Sequence, residues 1–198
     1  MARNPEKTRQ KLLQAAYEEI HAHGFQGMRV DEVLRKTGLQ KGAFYHHFSS
    51  KVELGYAVLE EQIKPILESI WLAPLKDVKN PLVDLPKILS KLAEKTPESI
   101  REHGCPLNNL AQEMASQDKG FQVRTTDLFS NWIQAYTKLF KEGQKNNYVR
   151  TDIDAEEIAR FLIATLEGCI GIFKTEQSLV QWQACQSQLR VYLRGLQK

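Results

Sequence analysis

Thr37-Gly38-Leu39-Gln40-Lys41-Gly42-Ala43-Phe44-Tyr45-His46-His47-Phe48-Ser49-Ser50-Lys51 reads as a tight turn feeding a short helix with basic and aromatic edges. Two helices hold a fixed angle across a turn when a glycine occupies its crowded point and an apolar residue tucks beneath it, and Gly38 and Leu39 supply both. Upstream, Val30, Val33 and Leu34 recur at helical spacing, so the stretch to Lys36 buries one stripe while Asp31, Glu32 and Arg35 face water. Downstream, Phe44 and Phe48 sit one turn apart and anchor a second short helix to the same core. The face left over carries Lys41, Gly42, Ala43, Tyr45, His46 and His47, a mixture of small residues and donors that can lie against a nucleic-acid groove.

With these residues in view, the segment from Pro5 to about Pro65 resembles the N-terminal domain of TetR/AcrR-family transcriptional regulators. The family's turn glycine, apolar residue, Lys-Gly, Tyr, His-Phe and Ser-Lys stand here between Gly38 and Lys51. The resemblance implies an all-α fold of about nine helices. It further implies a three-helix helix-turn-helix DNA-binding domain over 5–65, its motif at about 29–48, and a C-terminal helical ligand-binding and dimerisation domain over 66–198. In such proteins the third helix enters the major groove, its small residues permit close approach, and the Tyr and Lys hold phosphates. Carried across, these roles fall on Gly42, Ala43, Tyr45, His46 and Lys51.

Two positions depart from the pattern. Arg29 stands where a Ser or Thr often caps the second helix, and Gln40 where a Ser commonly caps the third. Arginine cannot accept from backbone amides, so Arg29 costs roughly 1 kcal/mol of helix stability by analogy with cap deletions. Either Arg29 contacts phosphate, or it is solvated and its helix starts at Asp31. Arg29, Gln40 and Lys41 therefore join the expected DNA-binding set.

Local signals place the flanking helices. Asn4-Pro5-Glu6 supplies an N-cap, a first-turn proline and an acid at the positive end of the dipole. Leu12, Leu13, Ala16, Tyr17 and Ile20 keep helical spacing up to Gly24, after which Phe25 folds back onto the core. Ser50 and Glu53 have capping-box spacing, so a further helix starts at Lys51 and runs through Leu54, Val58, Leu59 and Ile63. That places an ammonium beside exposed amides, a means of gripping one phosphate; the alternative is a solvated lysine.

The first 51 residues hold nine Lys or Arg, Arg3 included, against five acids, a balance of +4, and the remainder 18 against 19, so all the net positive charge lies in the proposed reading domain. No apolar run approaches the roughly 20 residues of a membrane span, and the N-terminus has no secretory or transit pattern, so a cytoplasmic location without membrane association is expected. Cys105, Cys169 and Cys185 are odd in number and lack CxxC spacing, which argues against a disulfide framework or structural zinc.

Beyond Pro65 the prolines at 74, 81, 86, 97 and 106 punctuate a region read as short kinked helices. Phe121 to Phe140 is the longest expected helix, striped by Leu128, Phe129, Trp132, Ile133, Tyr136 and Leu139. Asp154 and Glu157 form another capping box before a helix apolar on most sides, from Ile158 through Phe161, Leu162, Leu166 and Ile170 to Phe173. A last helix follows Ser178. These two carry more apolar surface than one small domain buries, so homodimerisation is expected through Ala164, Gly168, Gly171, Trp182, Leu189 and Tyr192, unless the glycines only relieve internal crowding.

An inducer pocket of unknown specificity is expected among Phe129, Trp132, Ile133 and Tyr136, facing Leu110, Met114 and the helix around Phe161 and Phe173; at helical spacing such a stripe also serves as plain core. Cys105, just before Pro106, sits where a helix N-terminus favours a reactive thiolate, resembling family members that answer electrophiles or oxidants, though a single cysteine is equally a small buried hydrophobe.

The chain lacks G-x-G-x-x-G, a P-loop, H-E-x-x-H and G-x-S-x-G, and four of its five histidines cluster in the reading domain. No catalytic residue, cofactor or metal is expected. The expected function is a transcriptional repressor that binds a double-stranded operator and is released by a small-molecule or electrophile inducer. The alternative is a DNA-binding protein whose C-terminal domain serves dimerisation or partner binding only.

Overall fold

In the computed structural model, which describes residues 4–95 and 97–198, helices begin where the chain offers caps. Arg3, counted above among the basic residues, lies outside them. Among the described residues the structure is helical, with one isolated antiparallel bridge between Val149 and Gln197. The chain divides into two units, residues 1–67 with 106–127 and residues 68–105 with 128–198.

In the first unit α1 (Pro5–Gly27) starts on Asn4, whose Oδ1 accepts from Glu6 N at 3.1 Å and Lys7 N at 3.4 Å. Its buried stripe is Leu12, Leu13, Ala15, Ala16 and Ile20. The expected stop at Gly24 is a break with φ 76°, after which one more helical turn carries Phe25 and Met28 into the core. α2 (Val30–Thr37) buries Val33 and Leu34, and α3 (Lys41–His47) buries Phe44 with Phe48 just beyond it. α4 (Lys51–Val58) passes into a π-helical turn at Leu59–Ile63 and then α5 (Lys64–Leu67); the second π turn at Glu68–Leu72 and the 3-10 turn at Ala73–Asp77 belong to the second unit. Pro65 therefore does not end the helix; the register widens ahead of the residue that cannot donate.

The span 5–65 is only part of this unit. α8 (Pro106–Met114) and the start of α9 (Lys119–Lys145) pack on α1 and α4, burying Leu107, Leu110, Met114 and Phe121. Phe121 lies 4.7 Å from Phe25 and 4.9 Å from Tyr56, centroid to centroid. A side chain at Gly55 would meet both Phe25 and Phe121 within 3 Å, so this glycine lets the three segments close on one another.

In the second unit Pro81 opens α6 (Pro81–Lys95) and Pro97 precedes α7 (Glu98–His103), as Pro106 opens α8 in the first. Pro86, expected to interrupt the chain, stays inside α6, which gives up one backbone bond without breaking. Gln186 Nε2 donates to Leu89 O at 3.0 Å and Arg190 Nη2 to Ser90 Oγ at 2.6 Å, tying α6 to α11 (Leu179–Arg194). α10 (Ala155–Glu176) starts on Asp154, which accepts from Glu156 N at 2.8 Å and Glu157 N at 3.2 Å. The core joins Leu85, Leu89, Trp132, Tyr136, Phe140, Ile158, Leu162, Leu166, Leu189 and Leu193. None of the three cysteines is in a disulfide; Cys169 and Cys185 meet between α10 and α11, where burial and the neighbouring thiol push Cys169 up to about 12.

Candidate nucleic-acid interface

The reading pair is built on its turn. Gly38 has φ 66°, and its N–H returns to Arg35 O while Leu39 N bonds Leu34 O at 3.1 Å. A side chain there would meet nothing within 4 Å, so the glycine is required by its left-handed backbone and not, as expected, by crowding. Neither Arg29 nor Gln40 makes a side-chain cap, in keeping with their reading as atypical, and α2 begins at Val30 with Arg29 in the N-cap position, not one residue later at Asp31. Arg29 is exposed and, among the described residues, forms no ion pair.

With Phe44 and Phe48 pinned in the core, α3 turns Lys41, Gly42, Tyr45 and His46 outward and leaves Ala43 half-buried. Tyr45 is 63% exposed, an unusual position for a tyrosine, and its ring stands edge-on to Phe44 at 5.1 Å. Gly42 has open space where a side chain would go. Within a helix glycine costs about 1 kcal/mol relative to alanine, and no neighbour in the unit requires it. Lys41 Nζ lies 3.3 Å from Asp31 Oδ1, both exposed, a pair that water and salt loosen easily. His47, half-buried beside His46 and Arg9, is held below the usual imidazole range, chiefly by desolvation.

Lys51 opens α4 as expected, but it is half-buried and already has partners within the unit. Its Nζ donates to Gln26 O at 3.0 Å and lies 5.0 Å from the centre of the Phe25 ring, and burial lowers its pKa. Ser50 caps Glu53 N at 3.1 Å, while the Glu53 carboxylate takes Ser49 N and Oγ in place of the Ser50 amide, a box displaced by one residue. Those bonds hold Glu53 below the ordinary carboxylate range.

Sequence reading missed the supports. Arg9 forks onto Glu61, with Nη2 to Oε1 at 2.5 Å, and covers the Phe48 ring at 5.2 Å. Lys36 Nζ reaches the buried Glu19 at 2.8 Å. Glu113 accepts from Phe25 N and Gln26 N, each at 2.8 Å. These partners lie far apart in sequence, and only the fold brings them together.

The residues named for an inducer pocket do not share one unit. Leu110 and Met114 belong to the first, as core beneath α1. In the second, Trp132 stacks with Trp71 at 5.1 Å and Phe129 at 6.4 Å and meets Tyr136 edge-on, with Ile133 half-buried beside them. Phe173 instead pairs with Trp182 at 5.7 Å. Cys105 is buried at 7% exposure. Of the interface residues, Ala164, Gly168 and Gly171 are exposed on α10, with Gly168 and Gly171 opening onto empty space, so they do not relieve crowding within the protomer. Trp182 and Tyr192 are half-buried, the latter against Phe161 at 4.6 Å. Leu189 is a correction: it is buried under α11 and faces its own core.

Residues 12–58 match the family model described as bacterial regulatory proteins, tetR family, and residues 81–188 the model for the transcriptional regulator LmrA/YxaF-like C-terminal domain. The chain is 28% identical over 178 residues to the HTH-type transcriptional repressor DhaR of Mycobacterium sp. strain GP1, covering 90% of this chain and 87% of that one. It is 29% identical over 171 residues to the transcriptional regulator AcuR of Cereibacter sphaeroides, covering 84% and 76%. Among solved structures, a TetR-family regulator of Cytophaga hutchinsonii superposes with a TM-score of 0.86 at 20% identity over 98% and 96% of the two chains, a likeness of fold.

Proposed function

The chain belongs to the TetR family of bacterial DNA-binding regulatory proteins, and from that premise we propose that it acts as a dimeric repressor whose α3 reads a partly palindromic operator until an inducer releases it. The observation that carries the reading is the outward face of α3, where Lys41, Gly42, Tyr45 and His46 stand clear over a Phe44–Phe48 anchor. Gly42 and Ala43 admit the groove wall, Tyr45 and Lys51 hold phosphates, and Arg29, Gln40, Lys41 and His46 add contacts at the two helix starts and along the face. An ammonium has three donors, so Lys51 can keep Gln26 O and still serve a phosphate.

Dimerisation is supported by a stripe on α10 in which Phe161 and Ile172, each 51% exposed, flank Ala164, Gly168 and Gly171. On α11 Val180 and Val191 are exposed as well, with Trp182 and Tyr192 along its edge. Inducer release is a population shift: the ligand must prefer the DNA-incompetent arrangement, since equal affinity for both changes nothing. The aromatic group around Trp132 and Tyr136 is the proposed place for it. A second reading, in which the C-terminal half only dimerises, is favoured by how closely that group already packs on itself.

A gel shift with the DNA upstream of the protein's own coding sequence, repeated with aromatic, fatty and electrophilic compounds, separates the readings. Compound-dependent release supports the repressor with an inducer; binding that no compound alters supports the second. Replacing Cys105 by Ser tests the thiol separately: unchanged release by quinones or hypochlorite removes it from the input.

A further inference from the structure

We propose that Glu113 is the positioning residue through which the segment 106–127 sets the phosphate grip of the reading head. The inference rests on the DNA-binding reading above and concerns how its grip is held. The Glu113 carboxylate takes two consecutive amides, Phe25 N and Gln26 N, at 2.8 Å each. Gln26 then returns its carbonyl to the Lys51 ammonium at 3.0 Å, and the same ammonium stands over the Phe25 ring. One carboxylate thus fixes both contacts that keep Lys51 at the first turn of α4.

Three observations make this more than a helix end finding a convenient acceptor. The turn is shaped for the carboxylate: Gly24 has φ 76°, and a side chain there would come within 2.8 Å of Glu113 Oε2. Phe25 is locked on its other side by Phe121 from α9 and by the absence of a side chain at Gly55, so the turn has little freedom to find another partner. Glu113 also acts on Lys51 directly, its charge favouring the ammonium that burial disfavours.

The segment that bears Glu113 is joined at both ends to residues of the second unit, Cys105 before Pro106 and Leu128 after Asp127. A displacement of that segment therefore has a direct route to the phosphate grip through a pair of charge-assisted bonds. Tyr56 Oη to Asp118 at 2.6 Å and Arg124 Nε to Glu60 at 2.8 Å hold the same segment to α4 and the turn after it, while Glu113 accepts the hydrogen bonds from the α1–α2 turn beside the Phe25–Phe121 ring contact.

The test compares wild type, Glu113→Gln, Glu113→Asp, Lys51→Ala and the Glu113→Gln, Lys51→Ala double variant on a duplex that the wild type selects from a randomised pool, over a range of salt. Glutamine keeps the shape but turns an amide donor toward one of the two N–H groups. The expected result is roughly five- to tenfold weaker binding for Glu113→Gln, with the slope of log affinity against log salt reduced by about 0.9 per protomer. In the double variant Glu113→Gln adds nothing to the loss from Lys51→Ala. Glu113→Asp, which keeps the charge, restores part of the affinity, and it carries the comparison if Glu113→Gln does not fold. Hydrogen exchange at Phe25 and Gln26 accelerates in Glu113→Gln without DNA. The proposal is overturned if the losses from Glu113→Gln and Lys51→Ala add, or if the salt slope stays at the wild-type value, because Glu113 then only caps α1. If no duplex is selected, the operator reading fails instead, and the same slopes on random-sequence duplex at low salt decide the role of Glu113.

Discussion

Gly24, Gly38 and Gly42 occupy a reading head of some fifty residues for three different reasons, and substitution separates them. Gly24 combines φ 76° with an extended ψ of 167° and has a carboxylate where its side chain would be, and Gly38 has a left-handed helical backbone with open space around it. Gly24→Ala is therefore expected to lower unfolding free energy by clearly more than Gly38→Ala, which costs about 1–2 kcal/mol; denaturant titration gives both. Gly42 is helical and unconfined. Gly42→Ala is expected to stabilise the protein by about 0.5–1 kcal/mol while weakening DNA binding, since the methyl group obstructs only something brought from outside. A variant that is both more stable and equally tight on DNA would remove Gly42 from the interface. Tyr45→Ala has the complementary signature: a thermal midpoint close to wild type, because the ring is mostly in solvent, with affinity reduced by about 1–3 kcal/mol. Wild-type binding by that variant would sink the role given to the tyrosine.

At the scale of elements, what was legible followed from how far a signal reaches along the chain. Asn4-Pro5, Gly38, Ser50 and Asp154 act on amides within three or four residues, and α1, α2, α4 and α10 start or stop where those residues stand. Phe44 and Phe48 declared the buried side of α3, so the opposite side was readable by elimination. α10 and α11 were harder, because α10 is apolar on most sides and α11 scatters its apolar residues among glutamines and arginines, so neither says which face meets its own core. Leu189 fell inward and Phe161 outward for that reason. The attachment of α8 and the start of α9 to the reading head left no local trace, since Glu113, Asp118 and Arg124 find partners more than sixty residues away. That attachment has a pH signature. Tyr56 donates to Asp118 and holds its carboxyl below the ordinary range, so the stabilisation is full above about pH 4 and is lost as pH falls through the depressed folded value. Tyr56→Phe is accordingly expected to lower the thermal midpoint at neutral pH, with the gap to wild type closing toward pH 2. A gap that stays constant with pH would assign the loss to packing against Phe121.

For the molecule as a whole, two copies joined through the outer stripes of α10 and α11 would each present one reading head. Phe161→Glu or Ile172→Glu places a charge on that stripe without entering the core, so a folded monomer is expected by sedimentation. The same variants should lose most operator affinity, since one head alone makes half the contacts. A dimer that survives both substitutions would place the interface elsewhere. The account's central claim, a dimer reading two half-sites through α3, is tested most directly by footprinting on a duplex selected from a randomised pool. It predicts two symmetric protected patches on one face of the duplex, their centres about 34 Å or a multiple of that apart, both lost with Tyr45→Ala. A single asymmetric patch, or no sequence enriched over the pool, would contradict it.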